Sequence, residues 1–163
     1  MDFNETYKYK SEDVARLIAA VLNERRIIIN ITKIQKLLYV TYGTWLRVYR
    51  NRLLNEHPQA WPYGPVFPTS RNKLTKSQTE LVDITRHDVP EELLNDAELI
   101  RTIDFVVLHF GQLSASQLTS WSHSPGSPWD LTVSREGFTW GDQIPDGLIY
   151  DFFVKLIRPT NEQ

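Results

Sequence analysis

Apolar residues recur along this chain at spacings of three and four, the period of an α-helix with one buried stripe. Val14, Leu17, Ile18, Val21 and Leu22 form the first stripe, and Ile34, Leu37, Leu38, Thr41, Trp45 and Tyr49 form the second. Leu99, Ile103, Val106, Val107 and Phe110 make a third, and Leu148, Ile149, Phe152, Phe153 and Leu156 a fourth. The residues bounding these stripes read as helix ends. Ser11 is placed to cap the first, with Glu12 and Asp13 at its positive end and Arg25 and Arg26 at the other. Asn30 or Thr32 caps the second. Asp88 or Pro90 opens the stretch that leads into Leu99, and Gly111 closes it as a C′ residue. Ser114 and Gln117 have capping-box spacing and start a short helix through Leu118 and Trp121. Thr69 to Lys76 reads as a short, base-rich helix, and Trp129 and Leu131 as a single helical turn after a loop from Ser122 to Pro128. Asp142 to Pro145 introduces the last helix, which Pro159 ends. Two stretches stay open: Ile27 to Ile29 as connector or helix end, and Leu81 to Ile84 as edge strand or loop.

The pattern changes abruptly after Tyr49. The run Ala60-Trp61-Pro62-Tyr63-Gly64-Pro65-Val66-Phe67-Pro68 holds three prolines and one glycine in nine residues. Each proline fixes its own φ and holds the preceding residue extended. Trp61, Tyr63 and Phe67 alternate along this stiff backbone, which predicts a small β-hairpin clamped onto the second helix. It serves either as an ordered connection packed on the core or as a binding surface. The fold class expected is therefore mainly α: a single helical domain over residues 11–157 with a small hairpin on its second helix, a polar lead-in over residues 1–10, loosely attached, and a polar tail over residues 158–163.

Composition narrows the function. At 163 residues and 19.0 kDa the chain can bury one core. Its net charge of −2 lacks the basic footprint of a nucleic-acid-binding protein, so nucleic acid is not the expected partner. The absence of cysteine excludes disulfides, thiolate metal sites and cysteine nucleophiles. Without an export signal or a membrane-length apolar run, a cytoplasmic location is expected.

Chemistry is sparse. The four histidines, His57, His87, His109 and His123, show no metal-ligand spacing, and neither a phosphate-binding loop nor a nucleophile elbow occurs. His123 lies in a serine-rich loop beside Ser122, Ser124 and Ser127, where a structural hydrogen bond accounts for it better than a nucleophile pair. Asp142 and Asp146 read as capping groups near a helix start. No enzyme, cofactor or metal is expected. Lys33, Lys36, Arg47 and Arg50 fall on the other faces of the second helix, where solvation is the expected state. A rigid aromatic anchor with a basic rim is how tight protein interfaces are built, so Arg47, Arg50, Arg52, Trp61 and Tyr63 are the candidate partner-binding residues.

Three segments also carry a family resemblance. The helix reads Ile34-Gln35-Lys36-Leu37-Leu38-Tyr39, the turn reads Ala60-Trp61-Pro62-Tyr63-Gly64-Pro65-Val66, and Leu118-Thr119 is followed by His123 and by Ser127-Pro128-Trp129. In these segments the chain resembles the Panacea domain of SocA-like antitoxins and phage-associated proteins, over about Ser11 to Phe153. The resemblance assigns family-motif positions, structural in role, to Lys36, Leu37, Tyr39, Trp61, Gly64, Pro65, Val66, His123, Pro128 and Trp129. It implies an antitoxin that binds and neutralises a cognate protein toxin. The alternatives it carries are an adaptor delivering that toxin to a Clp-type protease and a DNA-binding autoregulator.

Overall fold

The computed structural model describes residues 3 and 6–158. Among them the chain forms eight α-helices and two small sheets, in the order β1 (Tyr7–Tyr9), α1 (Ser11–Glu24), α2 (Ile31–Tyr49), β2 (Arg52–Leu54), β3 (Gln59–Trp61), β4 (Gly64–Val66), α3 (Pro68–Thr75), α4 (Glu91–Leu94), α5 (Ala97–Phe110), α6 (Ala115–Ser122), α7 (Pro128–Val133) and α8 (Asp146–Leu156). The mainly α fold read from the sequence is the one observed, and the hairpin β3–β4 does pack on α2.

Helix α2 is the axis of the domain. Asn30 caps it by accepting from the Lys33 amide at 2.8 Å, and Arg50 ends it in the left-handed region at φ 56°. Every residue from Lys33 to Leu46 is buried, because α1, α5, α6, α8 and the hairpin cover it from all sides. Two of its faces owe their closeness to small or hydroxylic residues. Gly43 lets the Phe153 ring of α8 lie where a Cβ would be only 2.2 Å away. Thr41 returns its hydroxyl to the Leu37 carbonyl, so it adds no unpaired group to the interior. Tyr39 meets Trp121 and Phe153 edge-on at 6.4 and 5.9 Å, and Tyr42 meets Phe67 at 5.5 Å.

Several expectations change. Ser11 does not cap α1; it is the helix's first residue, its amide donating to Asn55 Oδ1 at 3.0 Å and its hydroxyl to Glu56. Glu56 also accepts from the Thr69 and Ser70 amides, and so caps α3 from outside the helix. Residues 27–30 are a connector, in which Ile29 is buried while Ile28 is 90% exposed. Leu81–Asp83 is a 3-10 turn and not a strand. Pro90 precedes the short α4, Asp96 caps α5, and Gly111 ends α5 in right-handed geometry rather than as a left-handed C′. The last helix buries Ile149, Tyr150 and Phe153 but leaves Leu156 exposed. The lead-in, read as loosely attached, contributes a strand: β1 runs parallel to β2, pairing Tyr7 with Arg52 and Tyr9 with Leu54. The Tyr9 hydroxyl donates to Asp96 at 2.6 Å, which ties that strand to the start of α5. The expected helix end at Pro159 and most of the expected tail lie outside the described residues.

Replacing Gly43 by Ala should lower stability by about 1–3 kcal/mol in urea or thermal melts, because the added methyl meets Phe153 in a filled core. Gly147→Ala, in α8 with open space around its Cβ position, should be neutral or stabilising by about 0.5–1 kcal/mol. Equal effects at the two glycines would show that α2 and α8 do not pack this closely.

Candidate partner-binding face over a buried lysine

The three segments singled out in the sequence converge on one place. In the hairpin, Trp61 pairs with Gly64, Ala60 with Pro65 and Gln59 with Val66, leaving Pro62 and Tyr63 as a two-residue turn. Residues 140–144 run alongside β3: the Gly141 amide donates to the Ala60 carbonyl at 2.9 Å and the Ala60 amide to Asp142 at 2.8 Å. From the other side, α7 reaches the hairpin through Trp129, whose Nε1 donates to the Trp61 carbonyl at 2.8 Å. Ser127 caps α7 by accepting from the Asp130 amide, and Pro128 occupies its first turn, so the indole is held by a well-formed helix start.

Beneath the hairpin lies Lys36. It is only 2% exposed, where the sequence alone predicted a solvated side chain. Its Nζ donates to the Pro65 carbonyl at 3.2 Å, a group that the strand geometry aims at α2. Burial, with a smaller contribution from Arg71, lowers its pKa to about 8. Gly64 explains how the hairpin comes so near. Its φ of 110° suits glycine, and a Cβ there would stand 2.9 Å from Lys36 Cε and 2.7 Å from Ser122 Oγ. His123 completes the floor. Its ring stacks on Trp129 at 3.9 Å and 16°, and its Nε2 is buried with no hydrogen-bond partner among the described residues. Burial, then the Lys36 charge, lowers its pKa, so the neutral imidazole is favoured. Ser122 and Ser127 are occupied in backbone hydrogen bonds to Thr119 and Ser122 carbonyls, which leaves neither hydroxyl paired with His123.

The neighbouring α2 residue Gln35 docks the other end of the hairpin. Its amide nitrogen donates to Ser70 Oγ at 2.9 Å, and its Oε1 accepts from the Phe67 amide at 2.7 Å. Sequence reading passed over Gln35 and Glu56 because a single glutamine or glutamate carries no motif. Leu37, Tyr39 and Val66 are core residues.

Above this floor the surface is aromatic. Tyr63 is 74% exposed and Trp140 54% exposed; Trp140 lies 6.3 Å from Trp129 and meets Phe138 edge-on at 5.0 Å. Trp61 is half-buried, its Nε1 donating to Gln59 Oε1, with the Arg71 guanidinium 5.8 Å over its ring. The basic neighbour of the turn is thus Arg71 of α3. Arg47 and Arg50 lie elsewhere: eleven and fourteen residues beyond Lys36, they are about 16 and 21 Å further along α2. There Arg47 Nε donates to the Ile157 carbonyl at 3.1 Å, and Arg50 lies 6.0 Å over the Tyr150 ring of α8. Arg52 is 6% exposed and bonds the Leu54 carbonyl beside the Tyr42 hydroxyl, so it is no rim residue. The turn and its expected arginine rim are close in sequence but not in space.

This frame of α2, hairpin and α7 defines a helical scaffold with a preformed aromatic face. Residues 34–130, more than half of the chain, match the family described as Antitoxin SocA-like, Panacea domain, and the chain belongs to that family. Among its relatives is Antitoxin SocA of Caulobacter vibrioides (strain NA1000 / CB15N), 29% identical over 155 residues, covering 85% of this chain and 81% of the relative. No solved structure matches the chain. No helix among the described residues is long and apolar enough to cross a membrane.

The lowered Lys36 pKa makes stability depend on pH. Above about 10.5 lysine is neutral in both states; as the pH falls towards about 8 the unfolded chain takes up a proton that the folded chain resists, so stability falls. In Lys36→Met this contribution is absent. The stability of wild type relative to Lys36→Met should therefore rise by about 1.5 kcal/mol between pH 8 and pH 9.5, with a slope that stays below about 1.4 kcal/mol per pH unit. Urea titrations of both proteins check it, and parallel curves would place the ammonium in water.

Proposed function

We propose that this protein is an antitoxin that neutralises a cognate protein toxin by direct, non-catalytic binding, and that the toxin docks on the face around Trp61, Tyr63 and Trp140. The relative's name, Antitoxin SocA, supports the antitoxin reading. The observation that carries the surface is the pair of large exposed aromatics, Tyr63 and Trp140, mounted on a backbone held by Lys36, Trp129 and the prolines. Aromatic side chains presented on a rigid frame lose little entropy on binding and commonly dominate interface energies. Arg71 beside Trp61 supplies positive charge at the rim, which acts mainly on association rate. Arg47 and Arg50, at the far end of α2, form a second, weaker candidate surface, in which Val48 is also exposed.

The test is co-expression with the toxin-like product of the neighbouring gene, followed by binding measurements on the purified pair. Tyr63→Ala combined with Trp140→Ala should raise Kd by about ten- to a hundredfold, equivalent to about 1–3 kcal/mol, and abolish growth rescue without changing the Tm. Arg47→Glu with Arg50→Glu should leave affinity nearly unchanged. The reverse pattern would move the interface to the end of α2. Rescue that persists in a host lacking Clp-type proteases supports sequestration, and rescue lost there supports delivery of the toxin for degradation.

A further inference from the structure

A second lysine of α2 is also buried, and its surroundings differ. Lys33 is 5% exposed, and its side chain makes no hydrogen bond or ion pair among the described residues. Burial alone lowers its pKa, with no carboxylate near enough to oppose it. It lines a cleft of about 540 Å³ together with Arg25, Arg26, Asn30, Ser114 and Gln117. Among the described residues no aspartate or glutamate lines this cleft. Arg25 reaches away to Asp104 at 3.0 Å, whereas the Arg26 side chain, on a residue at φ 56°, has no partner among the described residues.

Two helix starts open into the same space. Asn30 caps α2 and Ser114 caps α6, and both cap residues line the cleft, with Lys33 of α2 and Ala115 and Gln117 of α6. In α6 the Gln117 amide is taken by Ser114, while the amides of Ala115 and Ser116 have no intrahelical acceptor. Two cations without a partner among the described residues, beside the positive end of α6, suit a dianion better than a single carboxylate, and a phosphate offers enough oxygens to accept from all of them. Ile27 and the exposed Ile28 add an apolar wall at the mouth.

We infer that the cleft between the starts of α2 and α6 is a binding site for a phosphate-bearing small molecule, with Lys33 and Arg26 as its charged contacts. The site does not involve the aromatic face and stands whether or not the antitoxin reading holds. In this arrangement the ligand supplies Lys33 with the partner that it lacks among the described residues.

Amide NMR titrations of the full chain at low salt, with inorganic phosphate, pyrophosphate and ATP as probes, test the inference. Saturable shifts are expected at residues 31–33 and 115–117. Lys33→Met and Arg26→Asn should each weaken binding at least tenfold, and Lys76→Met, at an exposed lysine, should not. Lys33→Met should hold the Tm, since the ammonium makes no bond among the described residues and Met keeps an apolar stem in place, so its loss of binding cannot be assigned to unfolding; Lys33→Gln provides a second readout. ATP binding tenfold more tightly than pyrophosphate would identify a nucleotide, and equal affinities a simple phosphate or polyphosphate. Absence of saturable shifts with all three probes, or equal weakening by Lys76→Met, would overturn the site and leave Lys33 as a stem packed along the apolar surface.

Discussion

Helix α2 enters the interior with polar side chains still attached, and the way Gln35, Lys36 and Tyr42 are satisfied positions the elements around them. A buried amide, hydroxyl or ammonium left without a partner costs about 1–3 kcal/mol or more, so a neighbour that covers such a group is favoured when it brings an acceptor or donor to a set place. The Pro65 carbonyl meets Lys36, Phe67 and Ser70 meet Gln35, and Asp146 meets the Tyr42 hydroxyl at 2.5 Å. The hairpin, α3 and α8 are each docked by one of these. Apolar contacts supply most of the driving force, but they would tolerate sliding along the helix; the hydrogen bonds do not.

This accounts for the conformation of the surface above. The hairpin has only three residues in each strand and would be marginal alone. It is held from below by Lys36, from one side by the Trp129 indole and from the other by residues 140–144. Exposed rings on such a support are already ordered before a partner arrives. The same arrangement explains Gly64, which is demanded by the approach of Lys36 and Ser122 as much as by its own φ.

Lys33 and Lys36 are one turn apart on the same helix, both buried, and they show two solutions to the same electrostatic problem. Lys36 has a backbone carbonyl and remains inside the structure at the cost of a lowered pKa. Among the described residues Lys33 has no partner, and it faces a cleft that none of their carboxylates lines. A pattern of basic residues on a helix therefore says little by itself about whether they are solvated, structural or ligand-binding.

The helices, their approximate ends and the hairpin are legible in the order of residues, because these follow from 3.6-residue periodicity, capping side chains and the fixed φ of proline, all acting within a few residues. The capping box at Ser114 and the cap at Asn30 were legible for that reason. The candidate positions Trp61, Tyr63, Gly64, His123 and Trp129 were legible as a motif, but not their roles. Packing between distant segments buries Lys33, Lys36 and Arg52, sets Arg71 rather than Arg47 or Arg50 beside Trp61, and brings Trp140 to the aromatic face. A residue's own neighbours in sequence establish which helix face it occupies, whereas its burial depends on what covers that face. For α2 the covering groups come from 29 residues away at Pro65 and 104 residues away at Asp146.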